Sequence, residues 1–114
     1  MTEREKMLAG MLYSPSDPEL RALHLRAQKL FYKYNNIKPH KFGKRDKLIK
    51  KLFGKTGEKI TVETPFYCDY GCNIEVGENF YANYGCIILD VCKVKIGNNC
   101  MLAPNVALYS ATHP

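Results

Sequence analysis

The stretch that decides the fold is a short segment that occurs twice. Residues 74–79 read IEVGEN, and residues 94–99, twenty positions later, read VKIGNN. A first series of apolar residues recurs every six positions, with a two-residue step after its fourth member: Val76, Ala82, Ile88, Val94, then Ile96, Leu102 and Leu108. A second series runs beside it: Phe80, Cys86, Cys92, Cys100, Val106 and Thr112. A period of six fits neither a helix nor an alternating strand, and it predicts a parallel β-helix built from hexapeptide repeats.

Small and amide residues fill the positions between the apolar ones. Gly77 and Gly97 are the fourth residues of the two repeated segments, and further candidates for corners are Asn79, Asn83, Gly85, Asn98, Asn99 and Asn105. Glycine and asparagine tolerate the positive φ angles that tight corners require, so we expect the coil to turn at these places. A short antiparallel meander is the alternative, and it leaves the repeated count unexplained.

The first third of the chain has helical signals instead. Residues 16–19 read SDPE and form a helix start, with Ser16 or Asp17 as the cap, Pro18 in the first turn and an acidic residue beside it. Apolar residues then follow helical spacing towards Asn36, which predicts one long helix. A shorter helix is predicted over residues 45–53, with Gly54 as its end, and an earlier one over residues 2–12.

These signals predict a mainly β protein in two parts that form one structural unit. An N-terminal α-helical cap covers residues 1–58, and a parallel β-helix covers residues 59–114. A chain of 114 residues has the length of one domain.

Positive charge is concentrated where the two parts meet. The chain has 17 Lys and Arg against 11 Asp and Glu, a formal net charge of +6, and nine of the basic residues lie between residues 38 and 59. The interpretation we favour is a solvated helix face. The alternative is a surface for a phosphorylated ligand or nucleic acid. Because the region has no nucleic-acid reading motif, we expect no nucleic-acid partner.

The remaining composition favours a cytoplasmic protein without metal or membrane contacts. No apolar run approaches the roughly 18 residues of a membrane helix, and the N-terminus lacks the apolar core of a signal peptide. Cys86, Cys92 and Cys100 belong to the apolar series and are predicted to lie inside the coil. Cys68 and Cys72 have no histidine nearby, so we expect neither a zinc site nor disulfides.

One histidine stands out as a candidate for catalysis. His113 comes one residue after the second apolar series, whereas His24 lies mid-helix and His40 lies in the basic region. We interpret the latter two as structural or exposed. An imidazole suits general-base work near neutral pH. Stacked turns of the coil could bring three polar residues onto one side near it: Asp69, Asn83 and Asp90.

Several segments together resemble the maltose and galactoside O-acetyltransferases. The matching coil segments are residues 66–74, 79–83, 89–92, 96–106 and 111–114. Residues 5–13 and 17–20 resemble the N-terminal cap of the same family. The resemblance covers essentially the whole chain, and other hexapeptide acyltransferases share the repeat without this helical start.

The resemblance implies a fold, an assembly and a reaction. The fold would be a left-handed parallel β-helix in a homotrimer. The reaction would move an acetyl group from acetyl-CoA directly to a hydroxyl of maltose, glucose or a galactoside, without an acyl-enzyme. His113 matches the family's catalytic base. The positions that match the acceptor pocket, between neighbouring subunits, are Asp69, Asn83 and Asp90, with Asp17 and Tyr81 as further candidates.

The chain also departs from the family. Family members continue with further turns of the coil that supply most coenzyme A contacts, so we expect cofactor-binding residues C-terminal to Pro114. The sequence is therefore interpreted as an N-terminal fragment of such an enzyme. The alternative to an enzyme is a non-catalytic trimerising module that retains the scaffold without the coenzyme site.

Overall fold

The computed structural model describes residues 1–110 and contains three helices followed by eight short strands in that range. The helices are α1 (Glu3–Leu8), α2 (Pro18–Asn35) and α3 (Phe42–Leu52). The strands are β1 (Ile60–Val62), β2 (Phe66–Cys68), β3 (Ile74–Val76), β4 (Phe80–Ala82), β5 (Cys86–Leu89), β6 (Val94–Ile96), β7 (Met101–Leu102) and β8 (Ala107–Tyr109). None of the helices in this part of the chain is both long and apolar enough to cross a bilayer.

The strands form three parallel sheets whose partners lie twenty residues apart. The sheet orders are β1-β4-β7, β2-β5-β8 and β3-β6. Ile74 pairs with Val94, and Val62 lies in register with Ala82, which pairs in turn with Leu102. The parallel pairing predicted from the repeat is thereby confirmed.

Each twenty-residue turn consists of three six-residue sides and two extra residues. Strand starts at positions 60, 66, 74, 80, 86 and 94 show that the extra pair lies between β2 and β3, and again between β5 and β6. The extra residues therefore widen one corner of the coil, where loops 69–73 and 90–93 lie. The sequence places the step after Val94, whereas in the structure it falls in the loop before that residue.

The interior of the coil is apolar and closely filled. The strand residues with at most 1% exposure are Val62, Phe66, Ile74, Phe80, Ala82, Cys86 and Ile88. The interior position predicted for Cys86 is confirmed, whereas Cys92 and Cys100 are only half-buried. Cys92 lies in the widened corner, where its thiol donates to the carbonyl of Met7 at 3.3 Å. All five cysteines are free.

Helix α2 follows the prediction closely. The Asp17 carboxylate accepts hydrogen bonds from the amides of Glu19 and Leu20, at 3.1 and 3.3 Å, and the helix ends at Asn35. Its inward face packs on the coil, with the hydroxyl of Tyr34 donating to the carbonyl of Val62 at 2.6 Å. The buried residues of this face are Leu20, Ala27, Leu30 and Tyr34.

The other two helices differ from the prediction at their ends. Helix α1 ends at Leu8 rather than Leu12, because the chain turns at Gly10, whose φ is +75°. Helix α3 begins at Phe42 rather than Arg45, and no side chain caps its start. Since a cap residue is the usual sequence sign of a helix start, the sequence offers no signal for that boundary.

The prediction of a positive φ at the two repeated glycines is wrong. Neither Gly77 nor Gly97 has a positive φ; the left-handed residues of the coil corners include Asn79 at +57° and Asn99 at +59°. At Gly77 the constraint is space, since a Cβ atom would lie 2.9 Å from the amide nitrogen of Asn98 and closer still to its side-chain oxygen. At Gly97 the same atom would meet nothing within 4 Å.

The substitution Gly77→Ala should therefore destabilise the coil, and Gly97→Ala should not. We expect Gly77→Ala to lower the free energy of unfolding by about 1–3 kcal/mol, the usual cost of overpacking. Urea denaturation of the two variants beside the wild type measures the difference. Equal effects of the two substitutions would contradict this account of the corner.

Candidate functional site

A cleft lies between the helices and the widened corner of the coil. Its volume is about 350 Å³, and we call it the helix–coil cleft. The helical side contributes Leu20, Arg21 and His24, and the coil side contributes Asp69 and Tyr70. Further walls are Tyr13, Pro15, Leu89 and Val91. The cleft thus combines a carboxylate, an imidazole and a guanidinium with aromatic and aliphatic surface, a combination suited to a small hydroxylated ligand.

The buried carboxylate of Asp90 holds the coil side of the cleft in place. One carboxylate oxygen accepts hydrogen bonds from the amides of Asp69 (3.1 Å) and Tyr70 (2.9 Å), and the other accepts from the amide of Asn73 at 3.2 Å. The side chain of Asn73 donates in return to the carbonyl of Asp90 at 2.8 Å. Loop 69–73 is therefore fastened at both ends to the next turn of the coil.

Asp90 does not itself reach the cleft. Its exposure is 0%, and all of its bonds described above go to the backbone or side chain of the neighbouring loop. The sequence suggests Asp90 as a lining residue of an acceptor pocket. In the structure it orients Asp69, which does line the cleft.

The electrostatics of the two carboxyl groups follow from their burial. Burial raises the pKa of Asp90 to about 6, the charge of Asp69 adds to the rise, and the amide hydrogen bonds of Tyr70 and Asn73 oppose it. Burial also raises the pKa of Asp69, while the neighbouring His24 lowers it. Asp69 is half-buried, so its side chain meets both the cleft and the packed corner.

His24 is exposed, in agreement with the sequence interpretation, but its place in the wall of the cleft is not predicted from the sequence. Its Nδ1 donates to the backbone carbonyl of Asp69 at 2.9 Å, and its ring meets Tyr70 edge-on with 6.1 Å between centroids. In the neutral form of an imidazole whose Nδ1 donates in this way, Nε2 is the acceptor. The available signal is its spacing, since His24 lies four residues after the buried Leu20 and three before the buried Ala27.

The other predicted site residues lie elsewhere. Asp17 caps α2 through its carboxylate and does not belong to the walls of the helix–coil cleft. Tyr81 lies on β4, paired with Thr61, and Asn83 follows the same strand. The oxygen of the Asn83 side chain accepts from the amide of Tyr84 at 2.8 Å.

Asn83 and Asp69 therefore occupy different corners of one chain. Asn83 lies between the sheet of β4 and that of β5, whereas Asp69 lies between the sheet of β2 and that of β3. The expectation that stacked turns place Asp69, Asn83 and Asp90 on one side is wrong for Asn83. The reason is that the repeat of six gives the length of each side of the coil but does not tell at which corner a given loop lies.

His113 lies outside the described residues. The last described position, Ser110, stacks on the wall of the cleft, where its hydroxyl donates to the carbonyl of Leu89 at 2.8 Å and accepts from the amide of Cys92 at 2.9 Å. Within residues 1–110, no three His, Cys, Asp or Glu side chains come together as a possible metal site.

Comparisons with known proteins point to one family. The motif described as the maltose acetyltransferase hexapeptide capping motif matches residues 6–57. A maltose O-acetyltransferase from Clostridium difficile 630 has a crystal structure that superimposes with a TM-score of 0.98 at 51% identity, over 100% of this chain and 61% of that one. The chain matches the N-terminal part of the maltose and galactoside O-acetyltransferase family.

Two further relatives extend the match. A galactoside acetyltransferase solved in complex with coenzyme A superimposes with a TM-score of 0.95 at 41% identity, over 100% of this chain and 57% of that one. A Dictyostelium discoideum protein named as an acetyltransferase is 55% identical over 114 residues, which are 100% of this chain and 59% of that protein. The chain thus spans about 60% of the length of these relatives.

We expect Asp90→Asn to loosen loop 69–73. The substitution keeps the shape of the side chain but turns an NH₂ group towards backbone donors, and an unsatisfied buried donor costs about 1–3 kcal/mol. Hydrogen exchange at the amides of Tyr70 and Asn73 should accelerate by about tenfold or more. Asp46→Asn, which removes only a surface ion pair with Lys50, is the matched control. Unchanged exchange in Asp90→Asn would show that the carboxylate does not hold the loop.

The raised pKa of Asp90 also predicts a pH dependence. Because an unfolded aspartate titrates near pH 3.9 and the folded pKa of Asp90 is about 6, the folded state binds the proton more tightly. The stability contributed by this group is complete below about pH 4 and is lost as the pH rises through about 6. The unfolding free energy of the wild type minus that of Asp90→Asn should fall over this interval. Parallel pH profiles of the two proteins would be the contrary result.

Proposed function

We propose that the chain is the acceptor-binding part of a sugar O-acetyltransferase that uses acetyl-CoA. The observation that carries the proposal is the helix–coil cleft, in which Asp69 and His24 offer hydrogen-bonding groups beside apolar walls. Hydroxyl groups of a sugar such as maltose, glucose or a galactoside can bond to both groups. The relatives with maltose and galactoside acetyltransferase names support this choice of acceptor.

In the proposed reaction His113 acts as the general base. It takes the proton of the acceptor hydroxyl as that oxygen attacks the thioester carbon, the carbon–sulfur bond breaks, and the thiolate of coenzyme A is then protonated. No acyl-enzyme forms. The location of Ser110 supports this role, because its hydroxyl bonds the carbonyl of Leu89 in the wall of the cleft. His113 follows Ser110 by three residues, and each residue extends the chain by at most about 3.6 Å. The proposal therefore needs only a short length of chain to bring His113 to the cleft.

We further propose that the coil is left-handed and that the protein acts as a homotrimer. In this proposal residues 1–58 form a helical cap on the coil of residues 59–114, in a cytoplasmic protein. In such a trimer Asn83 and Tyr81 contribute to the acceptor pocket of the neighbouring subunit. This arrangement explains why they lie on a different part of the coil from Asp69 within one chain. An interface between subunits could bury the exposed apolar side chains of the coil, which include Tyr67, Tyr84, Met101 and Tyr109.

The second candidate is a non-catalytic trimerising module. It is favoured by the parallel coil and its exposed apolar side chains, which an interface between copies can bury whether or not a reaction follows. Coenzyme A would contact residues C-terminal to Pro114 in the enzyme proposal. The two candidates differ in one outcome, which is whether a protein that includes such residues transfers an acetyl group to a sugar.

An acetyl-CoA thiol-release assay with maltose, glucose and a galactoside tests the enzyme proposal. We would compare this chain with a fusion that continues after Pro114 with the C-terminal part of the Clostridium difficile relative. Sugar-dependent thiol release by the fusion supports the enzyme. A trimeric fusion that binds coenzyme A but releases no thiol with any of the three sugars would support the module.

Within that fusion, His113→Ala should lower kcat by about 10²–10⁴-fold, the usual contribution of a general base. The matched control is His40→Ala, because His40 is exposed and lies outside the helix–coil cleft. Its kcat should stay within about twofold of the parent. A near-normal rate in His113→Ala would remove the histidine from the reaction.

A further inference from the structure

A second concave surface lies on the helices, away from the helix–coil cleft. It is a groove of about 600 Å³ between the C-terminal half of α2 and the exposed side of α3. Its rim carries four exposed lysines, and we call it the lysine groove: Lys33, Lys44, Lys47 and Lys51. It shares no lining residue with the helix–coil cleft, so its ligand is independent of the proposed acetyl transfer.

The positive charge of the lysine groove is not compensated. Within residues 1–110, none of its four lysines forms an ion pair and none of its walls carries a carboxylate. The acidic residue of α3, Asp46, pairs with Lys50 at 3.1 Å, and Lys50 does not line the groove. The field of the four ammonium groups is therefore directed at solvent, where it can attract an anionic partner.

The floor of the groove is apolar. Tyr32 is 70% exposed, and Ile37 and Leu48 are half-buried. The methylene stems of lysines add to such a surface while their charges remain in water. A polyphosphate or a nucleic-acid backbone would satisfy the lysines and leave this floor uncovered, whereas a ligand with both carboxylates and apolar side chains would cover both.

We propose that the lysine groove binds an acidic amphipathic helix of a partner protein. Lys44, Lys47 and Lys51 follow each other at helical spacing on one face of α3, and seven residues of helix extend about 10 Å. Two turns of a partner helix present acidic and apolar residues over the same length. Its apolar face packs on Ile37 and Leu48, and its flanking carboxylates meet the lysines, as in other helix-in-groove complexes.

Fluorescence anisotropy on the full chain tests this proposal. The probe is a fluorescein-labelled peptide of repeated Leu-Glu-Glu-Leu-Leu-Glu-Glu heptads, and we expect a Kd of about 1–100 µM. The double charge reversal Lys44→Glu with Lys47→Glu should weaken binding by at least about tenfold. The matched control, Lys38→Glu with Lys59→Glu, changes the net charge equally at exposed lysines outside the groove and should change the Kd by less than about twofold.

A second comparison separates the groove from general charge attraction. A scrambled peptide of the same composition, without the amphipathic pattern, should bind at least about tenfold more weakly. Ile37→Ser, which removes only apolar floor, should weaken the patterned peptide and leave the scrambled one unchanged. The proposal is overturned if the patterned peptide does not bind, if both peptides bind equally, or if the control double variant loses as much affinity as the groove variant.

Discussion

The in-register stacking of twenty-residue turns is the constraint on which the rest of the structure depends. Parallel ladders join strands β1 to β5 to the strand twenty residues later, so residues twenty positions apart lie one above the other on the same side of the coil. Three sides of six residues leave two residues over, and both turns place them at the same corner. The helix–coil cleft exists because that corner is wider than the other two and its loops face the helices.

In the widened corner, backbone amides of loop 69–73 have no partner in a strand, and the buried carboxylate of Asp90 accepts their hydrogen bonds. Three amides of loop 69–73 point at its carboxylate, which explains why a charged group is tolerated at 0% exposure. Asp90 lies directly after β5, and loop 69–73 lies directly after β2, one turn earlier in the coil. These hydrogen bonds therefore hold the loop of one turn to the next turn. Helix α2 then completes the arrangement, because His24 bonds the carbonyl of Asp69. The cleft is thus assembled from three parts of the chain.

The sequence predicts the features that depend on repetition and on local signals. The spacing of the apolar series is enough to predict the parallel pairing of the strands. The signals around Asp17 and Pro18 are enough to predict where α2 begins. It does not reveal what depends on contacts between turns. Gly77 is needed for the space beside Asn98 rather than for its φ, and the corner that Asn83 occupies follows from where the extra residues fall. His24 escapes notice because only the folded chain brings it to Asp69.

The measurement that tests the central claim most directly is the steady-state kinetics of Asp69→Ala in the extended fusion. If the helix–coil cleft binds the sugar, KM for the acceptor should rise by about tenfold or more, as for the loss of one charged hydrogen bond, while KM for acetyl-CoA stays within about twofold. Unchanged acceptor kinetics, with the variant folded as the wild type, would contradict the account and place the sugar elsewhere on the protein.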